Sequence, residues 1–208
     1  MVVEAPESTP YNPINVLGVE FGVKNIAVDS DGVIHSGNPI HRRRQQLDTL
    51  KARLQSKGTT SAKRHLKKLS GTLARFTRDT NHCISKMIVA KAKDTLQAVA
   101  LEDLKVKRIR KRKKSVTKAQ RRNLNTWSFG MLRDFIRYKV TIVGVPVVFV
   151  DPKNTSVECP RCGTIDKLNR QTRDEFKCVM CGFVGHADHT AAINIARRAA
   201  VNQPIVAC

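Results

Sequence analysis

The sequence predicts an α/β fold with a mixed sheet, and three observations predict it. Short β-branched apolar runs alternate with long helical stretches, an arrangement that layers helices on a sheet. The first two runs and a short return are joined by tight polar turns, which makes an opening antiparallel meander. The later apolar runs stand singly, each after a helical stretch.

Taken in order, residues 14–20 (INVLGVE) read as a buried strand. A second strand follows at 25–28, the polar turn Asp29-Ser30-Asp31-Gly32 reverses the chain, and 33–35 returns. Leu47, Leu50 and Leu54 recur at helical spacing up to a break at Gly58-Thr59-Thr60. Leu66, Leu69, Leu73, Phe76, Cys83 and Met87 then hold a seven-residue apolar rhythm, so a helical hairpin with one apolar seam and a basic outer face is expected. Residues 98–101 (AVAL) form a short buried strand that ends at Glu102-Asp103.

The stretch after that strand has no periodicity and reads as loop. A helix is expected over 129–143, with Met131, Leu132, Phe135, Ile136 and Val140 on one face. A strand at 145–150, a cysteine module over about 157–185 and a closing helix at 188–199 complete the chain. Trp127 and Phe129 read as core anchors for the helix that follows them, and residues 1–13 and 201–208 as flexible tails.

Charge narrows the partners. The 208 residues carry 38 Lys and Arg against 17 Asp and Glu, a formal net charge of +21. That imbalance calls for a polyanion, with nucleic acid the default. The apolar fraction of 41% is ample for a core. No run approaches the roughly 20 apolar residues a spanning helix needs, and the first residues lack a signal-peptide pattern, so no membrane partner is expected. A cytoplasmic, nucleoid-associated location follows.

The positive charge is local. Residues 42–78 contain 12 Lys and Arg with one acid, Asp48, and residues 105–122 contain 11 with none. Arg42, Arg43, Arg44, Lys105, Lys107, Arg108, Arg110, Lys111, Arg112, Lys113, Lys114, Arg121 and Arg122 are the candidate nucleic-acid contacts. The alternative is a solvated charged helix face. Aromatic residues make up only 5%, so contacts should fall on the phosphate backbone rather than on stacked bases.

Four of the six cysteines fall as Cys159-x2-Cys162 and Cys178-x2-Cys181, with 15 residues between the pairs. Two such knuckles, with Pro160, Gly163 and Gly182 beside them, make a four-cysteine zinc ribbon. A closed site of four thiolates is structural, so the Zn2+ is assigned no catalytic role. Cys83 and Cys208 read as inert.

Acids are scarce, and those at element ends stand out: Glu20 after the first strand, Glu102 and Asp103 after the AVAL strand, and Asp188 opening the last helix. Carboxylates gathered from distant segments repel unless a cation neutralises them, and Mg2+ takes hard oxygen ligands. The bland alternative is ordinary strand-end and N-cap acids, Asp188 above all. His186 and His189 flank Asp188 but are left outside the site.

This order of acid, acid, zinc ribbon, acid resembles the RuvC-like nuclease half of the TnpB (OrfB-type) family, transposon-encoded RNA-guided nucleases related to compact type V CRISPR effectors. The stretches that carry it are VLGVEFGVKNIAV (16–28), AVALEDLKV (98–106), VVFVDPKNTSVECPRCG (147–163) and FKCVMCGFVGHADHTAAINIARRA (176–199). The resemblance implies an RNase H-like (RuvC) mixed sheet over 14–156, an inserted ribbon at 157–186 and a closing helix at 187–200. It implies DNA phosphodiester hydrolysis by Mg2+ or Mn2+ on Glu20, Glu102 and Asp188, with Glu102 rather than Asp103 as the ligand. It also implies partnership with DNA and guide-type RNA.

Three departures accompany it. The family has Asp where this chain has Glu20, and one added methylene moves a carboxylate by about 1.5 Å. A displacement of about 1 Å can cost on the order of 100-fold in rate. The family's N-terminal guide- and target-binding half has no counterpart before residue 14, so a second chain or a homodimer partner is expected to supply it. Thr190 stands where the family usually has Asn. Two functions therefore stay open: a nuclease, impaired or not, and a nuclease-inactive DNA- or RNA-binding protein or subunit.

Overall fold

The computed structural model describes residues 8–104 and 129–202. The basic stretch 105–122, expected as a loop, and Trp127 lie outside the described residues. Five strands form one sheet: β1 (Asn15–Phe21), β2 (Asn25–Asp29), β3 (Ile34–Ser36), β4 (Gln97–Glu102) and β5 (Val147–Val150), in the order β3-β2-β1-β4-β5. β2 pairs antiparallel with both β1 and β3, while β4 pairs parallel with β1 and with β5. The sheet is mixed, as the sequence predicts.

Strand parity sorts the side chains into two cores. Leu17, Val19, Phe21, Val99 and Leu101 face α3 (Thr72–Asp94) and α4 (Phe129–Val143), where Ile84, Ile88, Leu132, Ile136 and Val140 are buried. Val16, Ala98, Ala100 and Val150 face α5 (Ala187–Asn202) through Ile195 and Ala199. Small residues let that helix lie close. A Cβ on Gly18 would sit 2.2 Å from the Ala192 carbonyl oxygen and 2.6 Å from the Ala196 nitrogen, so only glycine fits.

The expected helical hairpin is three helices: α1 (Asn38–Lys57), α2 (Thr60–Lys68) and α3. The first break falls where expected. Gly58 ends α1 in the left-handed region, and the Thr59 hydroxyl accepts the Ala62 N–H to start α2. A second break at Ser70-Gly71, with Gly71 at φ 73°, was not expected.

The apolar seam of α3 is also corrected. Cys83 and Met87 are exposed, and the face turned inward carries Thr77, Asn81 and Ser85 beside Ile84 and Ile88. Of these, Ser85 is satisfied from α4, whose Lys139 reaches across to donate to its hydroxyl and to the His82 carbonyl at 2.8 Å.

Residues 8–13, expected as tail, are tied down: Ser8 and Tyr11 donate backbone N–H groups to Thr141 and Gly144, and the Tyr11 hydroxyl reaches the Ala92 and Gln97 carbonyls. No described helix is long and apolar enough to cross a membrane.

Candidate functional site

The parallel register of β1 and β4 brings two of the acids together. Val19 pairs with Leu101, so Glu20 and Glu102 come one step later, side by side, on neighbouring strands about 4.8 Å apart. By alternation they share the face of Gly18 and Ala100, the one that α5 covers. Asp188 lies in the first turn of that helix, after β7 (Val184–His186). The topology thus converges three acids at the ends of β1 and β4. Asp103, one residue on, is exposed.

Each acid has a distinct setting. Asp188 is held at both oxygens, by the buried Asn25 amide at 3.1 Å and by the Arg170 guanidinium at 3.3 Å. Glu102 is buried, and its Oε1 accepts the Thr155 hydroxyl at 2.5 Å. Burial raises its pKa, opposed by the Thr155 hydrogen bond and the Arg198 charge. Glu20 Oε2 is buried with no hydrogen-bond partner among the described residues. Burial, then the neighbouring Glu102 and Asp188 charges, push the Glu20 carboxyl well above the usual carboxylate range, against the pull of Arg170.

An orphaned carboxylate oxygen among repelling acids is a donor set that a hard divalent cation suits. Among the described residues, the cysteine quartet is the group whose ligand atoms all lie within 4.8 Å of one another.

In that quartet Cys159 and Cys181 sulfurs are 3.6 Å apart, and those of Cys162 and Cys178 are 3.5 Å apart. Bonds of about 2.3 Å to a tetrahedral ion put sulfurs roughly 3.8 Å apart, so the site fits Zn2+. Both knuckles are built alike: Gly163 N–H returns to the Cys159 carbonyl and Gly182 N–H to that of Cys178, with both glycines at positive φ. A two-stranded sheet, β6 (Glu175–Lys177) with β7, backs them.

Arg42 and Arg43 are exposed on α1 and Arg44 is partly buried. The other candidate basic contacts, Lys105 to Arg122, lie outside the described residues. His189 binds the Ser30 carbonyl at 3.0 Å, a packing role. His186 Nδ1 is buried without a partner among the described residues.

Sequence reasoning missed Asn25, Thr155, Arg170 and Asn194. None sits in a spacing pattern, and each acquires a role only through contacts across the fold.

Comparison with known proteins decides the family. A family model described as a probable transposase (OrfB) matches residues 1–113, over half of the chain. A TnpB-like protein of Methanocaldococcus jannaschii is 31% identical over 200 residues, spanning 91% of this chain and 70% of that protein. The chain belongs to the TnpB family.

A second model, the Cas12f1-like TNB domain, matches residues 129–195, which contain the ribbon and Asp188. The CRISPR-associated endodeoxyribonuclease Cas12f1 of Sulfoacidibacillus thermotolerans is 35% identical over 132 residues, but this TnpB-family chain spans only 29% of its length. The fold matches the cryo-EM structure of a Cas12f1–sgRNA–target DNA complex with a TM-score of 0.69 and 21% identity, over 91% of this chain and 51% of that one. The RNase H-like (RuvC) expectation for this sheet agrees with that likeness.

Proposed function

We propose that this TnpB-family chain is a RuvC-like nuclease module that hydrolyses DNA phosphodiester bonds at Glu20, Glu102 and Asp188. The observation that carries it is Glu20 Oε2, buried without a hydrogen-bond partner among the described residues and facing the charges of Glu102 and Asp188. A buried carboxylate left so is costly unless a ligand satisfies it.

Bound Mg2+ or Mn2+ would make a nucleophile of water at neutral pH and neutralise charge on the leaving oxygen. Water gives up a proton to solvent as its oxygen bonds to phosphorus, the P–O3′ bond breaks, and the 3′ oxygen takes a proton from solvent. Asn25 fixes the Asp188 carboxylate and Thr155 fixes that of Glu102. Arg170, already beside Asp188, is placed to take the phosphate.

Residues 14–156 with 187–200 form the nuclease unit in this proposal, and 157–186 the inserted ribbon holding structural Zn2+ on its four thiolates. DNA and guide-type RNA lie along the basic α1 face at Arg42, Arg43 and Arg44, and the location is with the cell's nucleic acid. The Cas12f1 relatives are much longer than this chain, so guided cutting is proposed of an assembly with RNA and a further protein chain.

Two observations favour a binding-only role: Glu20 is a glutamate where the family's opening motif has Asp, and Arg170 already pairs with Asp188. Incubation of the zinc-loaded chain with single-stranded DNA and Mn2+ separates the two. Cleavage that Asp188→Ala abolishes supports the nuclease. Cleavage by Glu20→Asp alone makes the natural chain a binder.

A further inference from the structure

We infer that Thr155, held in place by Asn194, is the residue that positions Glu102 for cation binding. The inference rests on the acid-cluster proposal above.

Glu102 ends β4, and its Oε1 is taken by a hydroxyl from a segment 53 residues away in sequence, at 2.5 Å. Thr155 is itself buried, so no solvent competes for that proton. The same hydroxyl lies 3.1 Å from the Pro152 carbonyl, but it has a single proton and the carboxylate is the nearer, charged acceptor. One carboxylate oxygen is thereby occupied, and the other is left for a cation.

What holds Thr155 is the helix that carries Asp188. Asn194 is buried, and its amide donates one proton to the Thr155 carbonyl at 2.9 Å and the other to the Glu158 carbonyl at 2.7 Å. One turn later Arg198 donates to the Asp151 and Lys153 carbonyls and to the Glu158 carboxylate. The turn between them is tight: Glu158 and Val157 N–H groups both return to Asn154, which sits at φ 66°.

The 151–158 segment is thus clamped along α5 and leads directly into Cys159. Glu102 and Asp188 are linked by a path that avoids the pocket itself: Asp188 along α5 to Asn194, to Thr155, to Glu102. Losing a group that orients a ligand in this way typically costs about 10- to 100-fold in metal affinity.

The test is Mn2+ binding to the zinc-loaded chain by electron paramagnetic resonance, with Glu102→Gln as the control that reports on this site. Thr155→Val keeps the shape and removes the hydroxyl; it should weaken Mn2+ binding by about 10- to 100-fold at unchanged zinc content. Thr155→Ser restores the hydroxyl and should return to within about threefold of wild type. Asn194→Ala, which frees the segment, should weaken binding in the same direction.

A Thr155→Val chain that binds like wild type overturns the inference, as does a Thr155→Ser chain as weak as Thr155→Val. Wild-type chain that takes up no Mn2+ overturns the acid-cluster proposal, and the positioning role falls with it.

Discussion

The Arg170 guanidinium lies 3.3 Å from the Asp188 carboxylate, bridging the loop between the zinc knuckles to the helix that follows them. The pair is partly shielded from water, with Arg170 and Asp188 side chains 27% and 14% exposed. Lys24, after β1, makes a similar reach to Asp174 at the start of β6. The ribbon is therefore docked on the acid cluster, and a fixed positive charge already sits beside it.

That charge competes with any added cation. Arg170→Gln should tighten Mn2+ binding, on the order of tenfold, while weakening single-stranded DNA binding. Isothermal titration of both ligands on the same preparation checks the opposite signs. Mn2+ affinity that falls with the substitution would make Arg170 a support of the site rather than a competitor.

Stability should depend on pH through Glu20. Its folded pKa is raised, so the neutral form is the one the fold favours; that stability is full at low pH and is lost as pH rises through the raised value. In divalent-free buffer with zinc retained, stability should fall as pH rises above the ordinary carboxylate range, by up to roughly 1.4 kcal/mol per pH unit for this group until the raised value is passed, read as a falling melting temperature. Glu20→Gln should flatten that slope. Mg2+ should restore more stability at pH 8 than at pH 5, since it binds the ionised form.

Gly18 should tolerate no side chain. Gly18→Ala would set a Cβ against the backbone of Ala192 and Ala196, which cannot move without lifting α5 off the sheet. A loss of about 1–3 kcal/mol is expected, read as a drop in melting temperature of about 2–4 °C per kcal/mol. A neutral result would mean the helix is not seated as closely as described.

The basic face of α1 should bind phosphate. Replacing Arg42, Arg43 and Arg44 together with alanine should weaken single-stranded nucleic-acid binding uniformly across sequences. It should also reduce the slope of log K against log salt by about 0.7 for each phosphate no longer neutralised. An unchanged slope would assign that face to solvent.

Much of this was legible in the sequence, for physical reasons. Apolar runs such as 14–20 and 98–101 can only be buried, and the alternation of small and large residues in them decides which face meets α5. The knuckle spacing specifies thiolate geometry locally, so the quartet needed no tertiary information. Glu20 and Glu102 stood out as scarce acids at strand ends, and the order of motifs around them, which resembles the TnpB family, gave them their proposed role.

The errors have an equally physical origin. Cys83 and Met87 fitted a heptad by hydrophobicity, yet Asn81 and Ser85 took the inward face, where Lys139, more than 50 residues away, satisfies the Ser85 hydroxyl. Gly71 looked like one more helix residue until its positive φ split α2 from α3. Arg170, Asn25 and Asn194 belong to no periodic pattern; their meaning comes from partners as far as 163 residues apart in sequence.

The most direct test of the central claim, a single cation pocket shared by three distant acids, is Mn2+ titration of zinc-loaded chain carrying Glu20→Gln, Glu102→Gln or Asp188→Asn. Each substitution should weaken binding by at least about tenfold, with the zinc content unchanged. Binding indifferent to all three would mean that the acids hold no common cation.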